Sequence, residues 1–125
     1  MKYAIQISDG PTQSSSARTA YQFIRAVLEA GHEIVRVFFY SEGIYNAFAL
    51  PLPGDEWSCP DWSGLARRHG VELVFCSTAA ERRGMLRSSG AYGGDLSPVE
   101  GFRAGGLGLW MDACLSADRV IRFGG

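Results

Sequence analysis

The segment that most limits the fold of this chain is almost continuously apolar: Ile34-Val35-Arg36-Val37-Phe38-Phe39-Tyr40. A strand without polar alternation is typical of a parallel sheet that is covered on both faces. Tyr3 to Ile7 has the composition of a second strand, and between the two strands Ser14 to Ala30 carries apolar side chains at three- and four-residue spacing. A strand, a helix and a strand of these lengths predict a right-handed crossover unit.

Strand-like and helix-like segments continue to alternate along the rest of the chain. The predicted elements are a short helix at 42–50, a loop at 51–60, a helix at 61–69, a strand at 71–75, a helix at 78–83, a small-residue stretch at 88–95, a helix start at 97–100, a helix at 107–116 and a strand at 119–123. We expect the helix at 107–116 to bury Leu107, Trp110, Met111 and Leu115. The pattern predicts one α/β domain over residues 1–125, doubly wound in a flavodoxin-like manner, with a mainly parallel sheet and helices on both faces.

Composition and charge exclude several classes of protein. The 125 residues are 46% apolar and 20% charged with a net charge of −1, which excludes a disordered tail and gives no basic field for direct binding of nucleic acid. The start, Met1-Lys2-Tyr3, lacks a secretory signal pattern, and no apolar run approaches the roughly 18 residues of a membrane span. We therefore expect a cytoplasmic protein that does not contact a membrane and keeps its three cysteines reduced.

The stretch from Val71 to Gly84 carries the strongest functional signal, because a buried strand delivers one cysteine to the start of a helix. Thr78 and Glu81 have the spacing of a capping box, which predicts that the helix begins just after Thr78. Cys76 then lies at the carboxyl end of the strand, two residues before the cap, where unpaired helix N–H groups favour an anion. The sequence therefore predicts a reactive thiolate at Cys76.

Alternatives remain open for this stretch. Arg82 and Arg83 are predicted to stabilise an anion together with Thr78, but both arginines are equally typical of solvated helix charges. Cys76 itself is also compatible with a small buried core residue, which would make the chain a structural subunit. The spacing from Cys76 to Arg82 matches the Cys-x₅-Arg pattern of cysteine phosphatases, although no glycine lies inside the segment and Arg83 stands where a hydroxyl residue is usual.

The remaining chemistry-bearing residues give weaker signals. Cys59 lies in a loop rich in proline and tryptophan, Cys114 lies on an apolar helix face, and neither is predicted to have a chemical role. No Cys-x-x-Cys pair is present, and His32 and His69 adjoin glycines that end helices, so no metal site is indicated. Asp9-Gly10 and the serines after it are interpreted as a strand-to-helix turn, with a phosphate or flavin site as the alternative.

Three segments of the chain resemble one known family. They are Phe38 to Ala47, the set of Cys76 with Ala79, Ala80, Arg82, Arg83 and Gly84, and a C-terminal region with Gly106-Leu107-Gly108, Asp118-Arg119-Val120 and Phe123-Gly124-Gly125. Together they are similar to the DsrE-like family of sulfur relay proteins, and the resemblance extends over nearly the whole chain.

The resemblance implies that Cys76 accepts sulfane sulfur as a persulfide and passes it on without a metal or organic cofactor. It implies related DsrE-like subunits as partners, in a heterohexamer of three subunit types or in a homo-oligomer, with small sulfur carrier proteins as donor and acceptor. The sulfur would serve 2-thiouridine synthesis in tRNA or dissimilatory sulfur oxidation. Tyr45, Asn46 and Tyr92 are predicted to border the site or an interface.

Overall fold

The fold is known from a computed structural model, which describes residues 1–48, 60–85 and 97–125. The strands are β1 (Lys2–Ile7), β2 (Glu33–Phe39), β3 (Leu73–Cys76), β4 (Phe102–Gly105) and β5 (Arg119–Phe123). The α-helices are α1 (Ser16–Glu29), α2 (Trp62–His69), α3 (Ser77–Arg82) and α4 (Leu107–Ser116), and a 3₁₀ helix spans Ser41–Ala47. No helix in these described ranges has the length and apolarity that crossing a membrane requires.

The strands form one five-stranded sheet in the order β4-β3-β2-β1-β5, and every pairing is parallel. The chain moves in one direction from β1 to β4, and α4 then carries it back across the sheet to place β5 beside β1. Adjacent residues of β2 face opposite layers: Phe39 packs edge-on against Trp62 of α2, whereas Phe38 stacks on Trp110 of α4. The prediction of a parallel α/β sheet with helices on both faces is therefore confirmed.

Helices α1 and α2 follow the sequence signals closely. Helix α1 buries Ala17, Ala20, Ile24 and Val27, which recur at three- and four-residue spacing. Asp61 caps α2 by accepting a hydrogen bond from the N–H of Gly64 at 3.0 Å. Gly70 ends α2 with φ +66°, a left-handed conformation that favours glycine.

The predicted helix start at 97–100 is wrong. Pro98 instead forms an isolated antiparallel bridge with Phe48, and the N–H of Val99 donates to the carbonyl oxygen of Ala47. The chain then turns at Gly101 into β4, a four-residue strand that the sequence did not predict. The N–H of Val99 is therefore bonded to the end of the 3₁₀ helix and not to a turn of helix at 97–100.

The predicted helix at 107–116 forms, but its predicted burial is wrong. Leu107, Met111 and Leu115 are 51%, 58% and 84% exposed, and Trp110 is half-buried. Ala113 is the buried residue of this helix. The stripe of Leu107, Met111 and Leu115 therefore faces away from the sheet, and periodicity indicated the helix without indicating its orientation.

The other loop predictions are only partly tested. The helix predicted at 42–50 is a 3₁₀ helix that ends at Ala47, and residues 49–50 lie outside the described residues. Most of the loop predicted at 51–60, including Cys59, and the whole stretch at 88–95 also lie outside them.

Candidate functional site

Cys76 lies at the point where β3 passes directly into α3. Its backbone is still in the sheet, paired with Gly105 of β4, and it is also the N-terminal cap of α3. The Sγ atom of Cys76 accepts a hydrogen bond from the N–H of Ala79 at an N···S distance of 3.5 Å. A backbone N–H of the first turn of α3 is therefore directed at the sulfur.

The predicted capping box at Thr78 is wrong. Helix α3 begins at Ser77, one residue before Thr78, and the side chain of Thr78 is exposed within the first turn. The capping pattern did not account for a strand that enters the helix without a turn, which moves the helix start toward the cysteine. The sulfur of Cys76 consequently accepts the capping hydrogen bond that the sequence predicts for the hydroxyl oxygen of Thr78.

Sulfur transfer needs a thiol that another protein can reach, but the side chain of Cys76 does not lie at the surface. Cys76 is 2% exposed and belongs to the hydrophobic core. Because its backbone stays in the sheet, the side chain is held among packed residues rather than presented at the surface. Any reaction of this thiol with another protein therefore requires a movement that uncovers the sulfur.

The two arginines after Cys76 have different surroundings. Arg82 is exposed in the last turn of α3. Arg83 donates from Nε and Nη2 to one carboxylate oxygen of Glu42, at 3.2 and 2.8 Å, and from Nη1 to the carbonyl oxygen of Ala79 at 3.1 Å. Stabilisation of an anion by Thr78, Arg82 or Arg83 remains a prediction.

Asn46 and Tyr45 lie on the 3₁₀ helix above the ends of β1 and β2. The Asn46 amide donates to the carbonyl oxygens of Asp9 and Gly43 at 3.1 and 2.9 Å, and its own oxygen accepts from Nε1 of Trp62 at 3.3 Å. Asn46 is therefore a buried residue that connects the 3₁₀ helix to the segment after β1 and to α2. Tyr45 is half-buried, and Tyr92 lies outside the described residues, so their predicted place at a site border stays a prediction.

Glu42 is the residue that the sequence analysis missed. It lies within the Phe38 to Ala47 segment that resembles the family, and its sequence position alone indicates no role. Its carboxylate connects the 3₁₀ helix to the end of α3, across 41 positions of sequence. The signal that was available was its place in the same motif as Tyr45 and Asn46.

The alternatives at this edge of the sheet differ in their structural support. Residues 77–82 form a helix, so their N–H groups are not arranged as the open phosphate-binding loop of a cysteine phosphatase. The Asp9 carboxylate accepts from the Ser14 hydroxyl at 2.7 Å, and the N–H of Gly10 donates to the side chain of Gln13 at 3.1 Å. Those local bonds are typical of a strand-to-helix turn.

Among the described residues, Cys114 and the two histidines lie apart from this arrangement. Cys114 is half-buried on α4, and burial raises the pKa of its thiol. The Nδ1 atom of His32 lies 2.9 Å from the amino terminus, and His69 is exposed in the last turn of α2. Within the described ranges, no three His, Cys, Asp or Glu side chains converge as a metal site would require.

Comparisons with known proteins give a consistent match. The model of the DsrE/DsrF-like family matches residues 1–123. A protein of Vibrio parahaemolyticus named sulfurtransferase TusD homolog is 41% identical over 128 residues, which cover 98% of each chain. The DsrE protein of Allochromatium vinosum, whose sulfurtransferase assignment is itself provisional, is 41% identical over 129 residues, which cover 99% of each chain.

A solved structure shows the same fold. The crystal structure of the ychN protein from E. coli matches with a TM-score of 0.78, covering 98% of this chain and 100% of that one. The two sequences are 21% identical, so this likeness concerns the fold alone.

Proposed function

This chain belongs to the DsrE/DsrF-like family and is a sulfurtransferase, and from that premise we propose that Cys76 carries the transferred sulfur as a persulfide. The observation that carries the proposal is the hydrogen bond from the N–H of Ala79 to Sγ of Cys76. It places a fixed donor on the sulfur at the carboxyl end of a parallel strand, the edge at which α/β domains hold reacting groups.

The transfer needs two displacements at sulfur. The Cys76 thiolate attacks the terminal sulfur of a donor persulfide, the donor S–S bond breaks, and the donor leaves as a thiolate while a new S–S bond forms on Cys76. An acceptor thiolate then attacks that terminal sulfur, takes it as its own persulfide and releases the Cys76 thiolate. The atoms and electrons balance without an external oxidant, metal or organic cofactor.

The burial of Cys76 sets a condition on this chemistry. A side chain that is 2% exposed does not meet a second thiolate without local opening. We infer that docking of the carrier protein uncovers the sulfur, which keeps a persulfide away from water and small thiols between transfers. The competing function, a structural subunit with an inert cysteine, predicts that no such opening occurs.

Sulfur loading separates the two functions. The purified protein is incubated with a persulfide donor carrying labelled sulfur, and the label is located by peptide-resolved mass spectrometry. We expect one added sulfur on Cys76, loss of the label in Cys76→Ser, and retention in Cys114→Ser, the matched control. Labelling that persists in Cys76→Ser, or wild-type protein that takes up no label, contradicts the proposal.

The partners are proposed from the family and from one surface. We propose that the chain assembles in the cytoplasm with related DsrE-like subunits, as a heterohexamer of three subunit types or as a homo-oligomer, and exchanges sulfur with small carrier proteins. The exposed stripe of Leu107, Met111 and Leu115 supports a protein partner, because apolar side chains at i, i+4 and i+8 form a continuous surface. Light scattering of the chain alone and of the chain coexpressed with its neighbouring genes gives the stoichiometry.

The pathway is proposed from the two kinds of relative. The names of the relatives support a relay that feeds 2-thiouridine synthesis in tRNA or dissimilatory sulfur oxidation. Deletion of the gene followed by nucleoside analysis of the tRNA distinguishes them. Loss of 2-thiouridine assigns the first pathway, and unchanged 2-thiouridine with impaired growth on reduced sulfur assigns the second.

A further inference from the structure

The ion pair between Glu42 and Arg83 is built into the helix that carries the cysteine. Two guanidinium nitrogens of Arg83 converge on one oxygen of Glu42, at 2.8 and 3.2 Å. The Arg83 side chain is 23% exposed and that of Glu42 is 43% exposed. A pair with two donors and partial burial is held more firmly than an ordinary surface pair.

Ala79 connects this pair to the sulfur. Its carbonyl oxygen accepts from Nη1 of Arg83, and its N–H donates to Sγ of Cys76. Carbonyls in the last turn of a helix lack the usual backbone donor four residues on, so the arginine occupies an acceptor that the helix leaves open. A continuous series of contacts therefore runs from Glu42 through Arg83 and Ala79 to the sulfur of Cys76.

The Glu42 end of this series is rigid. A Cβ atom at the neighbouring Gly43 would collide with the carbonyl oxygen of Ile7, so the 3₁₀ helix lies directly on the end of β1. Asn46 fixes the same helix through its bonds to Asp9, Gly43 and Trp62. Helix α3, by contrast, has six residues and buries only the small side chains of Ala79 and Ala80.

We propose that Glu42 and Arg83 are positioning residues for the Cys76 thiol, which hold α3 against the 3₁₀ helix so that the N–H of Ala79 stays on the sulfur. This inference rests on the proposed function for its biological meaning, but the geometry concerns Cys76 whether or not it carries sulfur. It differs from the prediction that Arg83 stabilises the thiolate by its own charge, because here Arg83 acts through Glu42 and Ala79.

The experiment compares Glu42→Gln, Arg83→Gln and the double variant by two NMR measurements. The first is the hydrogen-exchange rate of the Ala79 amide. The second is the carbon-13 chemical shift of the Cys76 Cβ atom at one fixed pH, which reports the surroundings of the sulfur and does not require it to be accessible. Arg25→Gln is the matched control, since it removes an arginine from the exposed pair with Glu29 on α1.

We expect Ala79 to exchange roughly threefold to tenfold faster in all three variants, with the double variant close to each single one, because either change breaks the same tether. The double variant keeps the net charge, so it isolates geometry from charge. In that variant the carbon-13 shift of Cys76 should also move, because the sulfur loses its backbone donor. Arg25→Gln should change neither quantity.

Three results overturn the proposal. Unchanged exchange at Ala79 in Glu42→Gln means that the pair does not hold the helix. A changed carbon-13 shift of Cys76 in Glu42→Gln with unchanged exchange means that Arg83 acts on the sulfur directly and not through Ala79. An unchanged carbon-13 shift of Cys76 in the double variant means that the contact between Glu42 and Arg83 is structural only. Failure of sulfur loading on Cys76, with these measurements as expected, removes the proposed function and leaves the positioning intact.

Discussion

Helices α1 and α4 are both rich in apolar residues and both form where the sequence predicts them, yet they relate to the core in opposite ways. Helix α1 buries Ala17, Ala20, Ile24 and Val27, whereas α4 buries Ala113 and exposes Leu107, Met111 and Leu115. The comparison teaches that helical periodicity identifies an element but not the surface it covers. An apolar stripe that the chain itself leaves uncovered is an expected feature of a subunit within an assembly.

Polar contacts compensate for the weak apolar packing of α4. Arg36 of β2 is buried, and its Nη1 atom donates to the carbonyl oxygen of Leu109 at 2.7 Å and pairs with Asp112 at 3.2 Å. Its Nη2 atom pairs with Glu72 at 2.8 Å. Helix α1 is thus held on the sheet mainly by burial of its apolar side chains. Helix α4 is held by the hydrogen bond and ion pair from Arg36 of β2 and by the stacking of Trp110 on Phe38.

The largest effect is expected in α1. Ile24→Ala should lower the free energy of unfolding by about 2–5 kcal/mol, because the side chain is fully buried and its loss leaves a cavity. Urea denaturation measures the difference. Leu115→Ala is the matched control on α4 and should cost no more than about 0.5 kcal/mol. Similar losses of unfolding free energy in the two variants, measured on the unassembled chain, would show that the two helices contribute equally to stability.

The second effect concerns the polar tether of α4. Arg36→Met should lower the free energy of unfolding by about 1–3 kcal/mol, since it leaves the carbonyl of Leu109 and the carboxylate of Glu72 without this donor. The lower part of that range is expected because Asp112 is largely exposed and Glu72 is also paired with Arg103.

Hydrogen exchange locates that second effect. Amides of residues 107–116 should exchange faster in Arg36→Met. The exchange rates of the α1 amides should keep their wild-type ranking, both among themselves and against the amides of the core strands. Uniform acceleration over both helices would mean that Arg36 supports the sheet in general and is not a specific tether of α4.

The sequence predicted those parts of the fold that local patterns determine. Asp61 and Gly70 bound α2 as expected, and Cys76 lies at the end of its strand as expected. Strand β4 was missed because it is four residues long and Arg103 and Ala104 in its centre are exposed, so it lacks an apolar run. Short exposed strands are specified by their pairing partner, which a single sequence does not reveal.

The candidate site was predicted less completely, for the same reason. The place of Cys76 at the strand-to-helix junction followed from the local sequence, but its burial results from packing within the hydrophobic core, which local sequence does not reveal. The cap moved from Thr78 to Cys76 because the strand continues into the helix without a turn. The contact of Glu42 with Arg83 joins segments far apart in sequence, and no local spacing indicates it.

The outward stripe should affect assembly more than stability. Met111→Gln or Leu115→Gln should change the free energy of unfolding of the chain by no more than about 0.5 kcal/mol, yet shift the assembly with related subunits toward smaller species. Light scattering measures the species. Ala26→Gln, which puts the same side chain on the exposed face of α1, is the control and should leave assembly intact. Equal effects of the stripe and control variants would remove α4 from the interface.

The smallest effect is a change in the reactivity of Cys114, which lies on α4 among the residues that partly face the core. Burial raises the pKa of its thiol, so at a given pH less of it is thiolate and alkylation is slower than for an ordinary cysteine. The pH midpoint of its alkylation, measured by peptide-resolved mass spectrometry, should lie above that of the same cysteine in the urea-unfolded chain. A midpoint at or below the unfolded value would contradict the burial of this position.

The same measurement on the assembled protein tests how much of α4 a partner covers. A partner that covers Cys114 removes water from around its thiol and should raise the pH midpoint of alkylation further. An unchanged midpoint would confine the covered surface to the stripe of Leu107, Met111 and Leu115.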